Sequence, residues 1–481
     1  MKYFALLTLG FFWFHTVFAQ LGTLSSGHLQ NAGYSVYAID SETGEVIFQT
    51  RQVSLVPASV MKVITTAVSI DVLGSDFQFH TQIGYTGKIN IEKGLLRGDL
   101  VLKGGCDPAF YSEYFPDYYQ GTFENWASEL KNRGIKSVEG NLFVDLSMMQ
   151  GELVPGGWLW EDIGNYYGAG LSALTYNDNT YKIHLSSPKD AGKGATIIGF
   201  TPTIDSLKLI NNVFSADDTH DLTNIYGAPG SFSQVIEGSI PKGYSDFVVK
   251  ASIPNPAISA ANEFVKVLKS SGIYFSGNIL TISNSDVSNF ILIADKPSPP
   301  LRELIIPLNH ESINLFAEHL LREIGRFRKN STSLAESLTA LKEFVTEKKI
   351  FQEGFYPTDG SGLSRSNALC SRTLVEILRH MYLSPNRDLF LKSLPLAGKT
   401  GTLQNSFKGS PLENNLIAKT GSMSRVRSLA GIFTNKLGRK VIFAVITNNF
   451  EGSQATMGHS MEEIVNELYS LSSNKEGTSK F

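Results

Sequence analysis

One segment near the start of the chain, Pro57-Ala58-Ser59-Val60-Met61-Lys62, continues into the apolar run Val63-Ile64-Thr65-Thr66-Ala67-Val68. Proline is tolerated in the first turn of a helix, so this segment predicts a helix that opens near Pro57. Ser59 and Lys62 then lie one turn apart on the same face. A buried lysine with a lowered pKa can take the proton of a serine hydroxyl and make it a nucleophile. The segment therefore predicts a nucleophile and its base, with the positive end of the helix dipole where an oxyanion would form.

The Ser-x-x-Lys pattern has four other copies, at 128–131, 186–189, 239–242 and 472–475. The copies at 186–189 and 239–242 have proline in the third position, which would break the helix that brings the pair together. The copy at 128–131 lies in an amphipathic pattern typical of a solvated helix face, and the copy at 472–475 lies in a polar segment. Only the copy at 59–62 is set in an apolar run, as a buried catalytic helix requires. The alternative is a core helix that carries a serine and a lysine by chance.

The composition and the N-terminus favour an exported protein. The chain has 481 residues, with 42 Lys and Arg against 45 Asp and Glu, and this balance points to neither nucleic acid nor an anionic membrane. Residues 1–19 combine a basic start, an apolar stretch and small residues at the end, which predicts a signal peptide rather than a membrane anchor. We expect a periplasmic or cell-envelope protein without a transmembrane anchor. Cys106 and Cys370 fit no disulfide framework, so we treat both as ordinary small residues, although pairing stays open.

Apolar and alternating patterns divide the remaining chain. Strands are predicted at 34–39, 45–49, 416–421, 428–433 and 441–447, and helices at 301–306, 314–326, 333–348, 372–382 and 461–471. Between 83 and 283 short strands dominate and glycine and proline recur, which predicts one or two inserted β-rich domains. We therefore expect a discontinuous catalytic domain at 20–82 and 284–471, an insert at 83–283 and a polar tail at 472–481.

Two further motifs carry groups that could complete a site. Ser312 and Asn314 precede a helical pattern, where the hydroxyl could pass a proton to a leaving amine and the amide could hold a substrate carbonyl. An ordinary helix cap is the alternative. Lys-Thr-Gly occurs at 399–401 and at 419–421, and its chemistry needs a strand that can bind an extended peptide. Lys399 follows a turn-rich segment, whereas Lys419 ends an apolar strand, so we predict that the copy at 419–421 is the functional one.

The order Ser-x-x-Lys, Ser-x-Asn and Lys-Thr-Gly resembles the penicillin-binding proteins. The long separation of the first two motifs is similar to the low-molecular-mass class C group, the D-alanyl-D-alanine carboxypeptidase/endopeptidase family. Further segments resemble that family at 98–108, 158–162, 167–169, 172–174, 359–365 and 397–403. Cys106 stands where the family has glycine, which affects no catalytic residue. The resemblance implies an α/β (α+β) transpeptidase-like domain, with a five-stranded antiparallel sheet flanked by helices and split by the β-rich insert.

The resemblance also implies a mechanism. Ser59 would attack the carbonyl of a terminal D-Ala–D-Ala bond with Lys62 as base, and water would hydrolyse the acyl-enzyme. Ser312 and Lys419 would relay the proton, while Asn314 would orient the peptide.

The remaining site residues would bind substrate. Thr420 would bind the terminal carboxylate, and Gly421 lets the strand approach closely. The N–H groups of Ser59 and Ser422 would form the oxyanion hole. In the family, the aspartate that matches Asp162 receives the free amino end of a diamino-acid stem residue, and Arg365 is a candidate for the neighbouring carboxylate.

The expected partners are peptidoglycan stem peptides and β-lactam antibiotics, the latter as covalent inhibitors, with no nucleic acid, cofactor or metal. Two other functions stay open: a β-lactamase, which would need fast deacylation, and a catalytically inactive peptidoglycan-binding protein. The sequence does not distinguish carboxypeptidase from endopeptidase activity, and it leaves the oligomeric state open.

Overall fold

The computed structural model describes residues 21–25, 27–283, 287 and 289–471, so the predicted signal peptide and polar tail lie outside the described residues. The helices are α1 Met61–Leu73, α2 Pro116–Tyr119, α3 Thr122–Asn132, α4 Trp160–Ile163, α5 Pro256–Ser270, α6 Leu301–His310, α7 Asn314–Lys329, α8 Leu334–Glu347, α9 Ser371–Tyr382, α10 Arg387–Lys392 and α11 Gln454–Ser470. The strands are β1 Gly33–Asp40, β2 Val46–Gln49, β3 His80–Tyr85, β4 Lys88–Asn90, β5 Leu95–Arg97, β6 Leu100–Lys103, β7 Ser137–Val138, β8 Leu142–Asp145, β9 Thr180–Ser186, β10 Thr196–Thr201, β11 Lys208–Ala216, β12 Asn224–Gly227, β13 Ser233–Pro241, β14 Phe247–Ser252, β15 Tyr274–Phe275, β16 Ile279–Ile282, β17 Ile291–Pro297, β18 Ile417–Met423, β19 Val426–Thr434 and β20 Lys440–Asn448.

A five-stranded antiparallel sheet joins the two ends of the chain, as the resemblance implied. Its order is β18-β19-β20-β1-β2, and β1 pairs with β20 from Gly33 opposite Asn448 to Asp40 opposite Val441. Successive side chains of β1 pack in two different hydrophobic cores, because side chains alternate between the faces of a strand. Tyr37 packs in the core that contains α1, whereas Val36 packs in the core that contains α11. Helices therefore cover both faces of the sheet, and β18 is an outer strand.

The segment at 57–73 differs from the predicted helix at its first turn. Ala58–Val60 is a 3-10 turn, and the α-helix begins at Met61. Ala58 has a φ of +52°, in the left-handed region that non-glycine residues rarely adopt. The pattern of apolar residues predicts the buried helix but not this left-handed conformation at Ala58. Every residue of α1 from Met61 to Ile70 is buried, which fixes the helix in the core beneath the sheet.

Four smaller sheets occupy the part of the chain between α1 and α6. Their strand orders are β10-β9-β14, β11-β13-β12, β15-β7-β5-β4 and β16-β8-β6-β3-β17. The last of these sheets begins at His80 and ends at Pro297, so it extends beyond the predicted insert of 83–283 at both ends. Helix α5 was not predicted. The division into a catalytic domain and an insert remains a prediction.

No helix among the described residues is long and apolar enough to cross a membrane.

Candidate active site

The Ser59 hydroxyl lies beside the Lys62 amine at the junction of the 3-10 turn and α1. Lys62 Nζ is 3.0 Å from Ser59 Oγ, 2.6 Å from Asn314 Oδ1 and 2.7 Å from the carbonyl oxygen of Ser361. Ser59 is half-buried, whereas Lys62 is fully buried. The helix thus places an amine with three polar neighbours against a hydroxyl that a substrate can reach.

Burial changes the chemistry of Lys62. Loss of hydration lowers the pKa of its amine from 10.5 to about 7, while the negative charges of Asp359 and Glu318 act in the opposite direction. An amine with this pKa is substantially neutral at neutral pH and has a lone pair available. Because it also lies within hydrogen-bond distance of Ser59 Oγ, Lys62 meets both requirements of a general base.

A second buried lysine lies against the second motif. Lys419 Nζ, on β18, donates to Ser312 Oγ at 2.9 Å and to the carbonyl of Thr420 at 2.8 Å. Burial holds the pKa of Lys419 well below its usual value, and the charge of Lys62 lowers it further, while Glu311 acts in the opposite direction. Ser312 has a φ of +62°, a conformation that costs about 1 kcal/mol or more and that clusters at functional sites. The Ser312–Lys419 pair can pass a proton.

The outer strand β18 approaches the nucleophile so closely that it requires glycine. A Cβ on Gly421 would lie 2.9 Å from Ser59 N and 2.8 Å from the carbonyl oxygen of Pro57. The hydroxyl of Ser428, on β19, also donates to the Pro57 carbonyl at 2.5 Å. The end of β18 and the 3-10 turn are therefore fixed against each other, with the backbone nitrogen of Ser59 close to the strand.

The other residues of the Lys-Thr-Gly strand contact groups outside it. Thr420 Oγ1 donates to Thr402 Oγ1 at 2.7 Å, and Ser422 Oγ donates to Gln454 Oε1 at 3.2 Å. Thr402 directly follows the earlier Lys-Thr-Gly copy at 399–401, so the two copies lie near each other. Lys399 itself is exposed in a turn. Lys419 lies on a strand and Lys399 in a turn, as we predicted, although their roles stay predictions.

Asp162, on α4 within the predicted insert, and Arg365, in the segment at 359–365, interact electrostatically. Burial raises the pKa of Asp162, whereas Arg365 and the hydroxyl of Tyr167 lower it. Arg365 Nη1 donates to the carbonyl of Ser424 at 3.3 Å, just beyond β18. Tyr167 also links Asp162 to the second motif, because the Tyr167 carbonyl accepts a hydrogen bond from Asn314 Nδ2 at 2.8 Å.

Several site residues could not be found from motifs. Thr402 and Ser361 lie in the segments at 397–403 and 359–365 that resemble the family, but no motif marks either residue as part of the site. Glu318 was not singled out. It lies one turn after Asn314 on α7, and this spacing from a motif residue is the one signal in the sequence that could have indicated it. Among the described residues, no group of histidine, cysteine, aspartate or glutamate is arranged to hold a metal.

Comparisons with known proteins identify the family of this chain. The model of the D-Ala-D-Ala carboxypeptidase 3 (S13) family matches residues 21–468. A D-alanyl-D-alanine carboxypeptidase of Actinomadura sp. (strain R39) is 27% identical, over 88% of this chain and 79% of its own length. The D-alanyl-D-alanine carboxypeptidase DacB of Haemophilus influenzae is also 27% identical, over 86% of each chain.

Solved structures extend the comparison to the fold. The crystal structure of penicillin-binding protein 4 of Haemophilus influenzae has a TM-score of 0.79 and 25% identity, and the match covers 92% of this chain and 97% of that one. The same protein in complex with a novel β-lactam has a TM-score of 0.74.

A Ser-x-x-Lys helix beside a Lys-Thr-Gly outer strand defines a serine enzyme of the penicillin-recognising class. Within that class, the chain belongs to the D-Ala-D-Ala carboxypeptidase 3 (S13) family, the low-molecular-mass class C penicillin-binding proteins.

Proposed function

We propose that this protein is an exported serine DD-peptidase that hydrolyses the D-Ala–D-Ala ends of peptidoglycan stem peptides through an acyl-enzyme on Ser59. The observation that carries the proposal is the 3.0 Å contact between Ser59 Oγ and a fully buried Lys62 whose pKa is lowered to about 7. D-Ala–diamino-acid cross-links are a second possible substrate of the same chemistry.

Acylation begins with the transfer of the Ser59 proton to the neutral Lys62 amine. Ser59 Oγ then bonds to the carbonyl carbon of the penultimate D-Ala, and the carbonyl electrons move onto its oxygen. The N–H groups of Ser59 and Ser422 stabilise this oxyanion, since the close approach at Gly421 brings β18 to the 3-10 turn. As the C–N bond breaks, the leaving amine of D-Ala receives a proton through Ser312 and Lys419, which are 2.9 Å apart.

Deacylation completes the cycle. Water adds its oxygen to the acyl carbon and passes a proton to the Ser312–Lys419 pair, which replaces the proton given to the leaving amine. The ester C–O bond then breaks, and Ser59 Oγ recovers its proton from the lysine that had taken it. The shortened stem peptide leaves as a carboxylic acid. No cofactor or metal takes part in these steps.

Substrate recognition uses both sides of the site. Thr420 binds the terminal carboxylate with the help of the Lys419 charge, and the outer strand can add an extended peptide as a further strand. Asp162 receives the ammonium of a diamino-acid stem residue. Arg365 binds the neighbouring carboxylate, for which its planar guanidinium is suited. The electrostatic contact between Asp162 and Arg365 supports their assignment to one subsite.

β-Lactams enter the same chemistry because their strained amide takes the place of the D-Ala–D-Ala bond. Opening of the ring on Ser59 would leave an ester that water hydrolyses slowly. The related penicillin-binding protein 4 has been solved with a β-lactam, which supports this part of the proposal.

The test is to incubate the purified protein, without its first 19 residues, with muropeptides and to identify the products by mass. We expect loss of one alanine from pentapeptide ends, and loss of this activity in Ser59→Ala. Cleavage of cross-linked dimers would show that endopeptidase activity accompanies it. Folded protein that leaves both substrates intact would contradict the proposed function.

A further inference from the structure

The Lys62 amine has three polar neighbours, and two of them only accept hydrogen bonds. Asn314 Oδ1 and the carbonyl oxygen of Ser361 lie 2.6 Å and 2.7 Å from Nζ. A neutral amine has two N–H groups and one lone pair, so these two acceptors take both N–H groups. The lone pair is then directed at the remaining neighbour, Ser59 Oγ. The Ser361 carbonyl thus helps to orient the Lys62 amine so that its lone pair can accept the proton of Ser59.

The position of that carbonyl is set by the turn at 359–362. The N–H of Gly362 belongs to the same peptide unit as the Ser361 carbonyl, and it donates to Asp359 Oδ1 at 2.7 Å. The carbonyl of Gly360 accepts from Thr65 Oγ1, on α1, at 2.6 Å. A Cβ on Gly362 would lie 2.0 Å from the carbonyl oxygen of Ala58, so the turn also packs directly on the residue before the nucleophile.

Glu318 supplies the remaining contacts of this turn. Its Oε1 accepts from the N–H of Gly360 at 3.0 Å and from the N–H of Ser361 at 2.7 Å. Glu318 is fully buried, and its Oε2 has no hydrogen-bond partner. A buried carboxylate with a free oxygen is costly, so a carboxylate here calls for an explanation other than packing. The charged groups that face it are Lys62 on α1, Asp359 on the turn and Arg322 on α7.

We propose that Glu318 is a positioning residue for the base: it holds the turn at 359–362 so that the Ser361 carbonyl keeps the Lys62 lone pair on Ser59, and its charge adjusts the proton affinity of Lys62. This inference rests on the proposed function, since it concerns the same base. Burial raises the pKa of Glu318, and the neighbouring charge of Asp359 raises it further. The charge of Glu318 in turn raises the pKa of Lys62.

The experiment measures the rate of acylation by a fluorescent penicillin against pH for the wild-type protein, Glu318→Ala and Glu318→Gln. Glu318→Ala removes the acceptor of two N–H groups, so we expect the plateau rate to fall about tenfold or more through misplacement of the base. Glu318→Gln keeps an acceptor oxygen and should restore most of that rate. Since it removes a negative charge near Lys62, the acid limb of the pH–rate profile, where the rate falls as Lys62 becomes protonated, should move to lower pH.

Glu323 provides a matched control on the same helix. It is also buried, but it lies five residues after Glu318 and therefore on a different face of α7, and its carboxylate accepts from Arg326 Nε at 2.8 Å. Glu323→Gln should lower the melting temperature and leave the acid limb in place. Circular dichroism and thermal melting show whether each variant is folded.

Two results would overturn the proposal. The first is a folded Glu318→Ala protein with the plateau and acid limb of the wild type. The second is a Glu318→Gln protein that is as slow as Glu318→Ala and has an unmoved acid limb. Failure of the proposed function is distinguishable, because the wild-type protein itself would then not be acylated on Ser59.

Discussion

Replacement of Lys62 by methionine tests whether the buried Lys62 amine has the lowered pKa that the proposed mechanism needs. The pKa of Lys62 falls from 10.5 to about 7 in the folded protein. At about 1.4 kcal/mol for each pKa unit, burial of the protonated amine costs about 5 kcal/mol. Methionine has a similar length and carries no charge, so it removes this cost.

The sign of the pH dependence follows from proton binding. Between pH 7 and 10.5 the unfolded wild-type chain keeps the Lys62 proton and the folded protein does not, so wild-type stability rises with pH in this window. The free-energy cost of burying the protonated Lys62 amine is fully present below about pH 7. We therefore expect the stability of Lys62→Met relative to wild type to be greatest at pH 6. It should fall by about 2–3 kcal/mol between pH 7 and 9.

Two further effects accompany the substitution. Methionine leaves Asn314 Oδ1 and the Ser361 carbonyl without a partner, at about 1–3 kcal/mol each, but this loss does not vary with pH. Removal of the Lys62 charge also raises the pKa of Lys419, so the stability of the variant itself rises less with pH, which adds to the expected fall relative to wild type. The slope against pH, rather than the absolute difference, is therefore the informative quantity.

The assay is urea unfolding followed by tryptophan fluorescence at several pH values from 6 to 9. Lys399→Met is the matched control, because Lys399 is exposed in a turn and its replacement should shift stability equally at every pH. Parallel stability curves for Lys62→Met and wild type across this range would refute the lowered pKa of the base.

Three further outcomes are expected. Lys419→Ala should slow acylation by penicillin by roughly a hundredfold or more through loss of a charge at the reacting centre, while Lys399→Ala should stay near wild type; reversed effects would contradict the choice of strand. Gly421→Ala should lower the unfolding free energy by about 1–3 kcal/mol and slow acylation, because the added Cβ crowds Ser59 N; unchanged behaviour in both assays would argue against the close approach. Asp162→Ala should weaken turnover of peptides with a free diamino-acid end, by roughly 2–5 kcal/mol, and spare a simple acylated D-Ala–D-Ala substrate; equal loss on both would make Asp162 structural.

Local patterns predicted much of the catalytic core. The five strands of the central sheet were predicted to within about three residues, because each is an apolar or alternating run bounded by turn residues. Ser59 and Lys62 are three residues apart, so helical spacing alone brings them together. The copy at 128–131 likewise lies on an exposed face of α3, as its amphipathic pattern indicated.

Contacts between distant parts of the chain could not be predicted in this way. The Ser361 carbonyl lies 299 residues from Lys62, and a backbone group leaves no mark on the residue pattern. The 3-10 turn before α1 depends on the positive φ of Ala58, a conformation that alanine does not favour and therefore does not indicate. Helix α5 did have a usable signal, since Asn255 caps it through the N–H of Ile258 and Pro256 occupies its first turn.

The most direct test of the acyl-enzyme on Ser59 is peptide mass spectrometry of penicillin-treated protein. We predict that the peptide containing Ser59 gains the mass of one intact β-lactam, and that a folded Ser59→Ala variant gains none. An adduct on any other residue, or persistent labelling of Ser59→Ala, would contradict the assignment of the nucleophile.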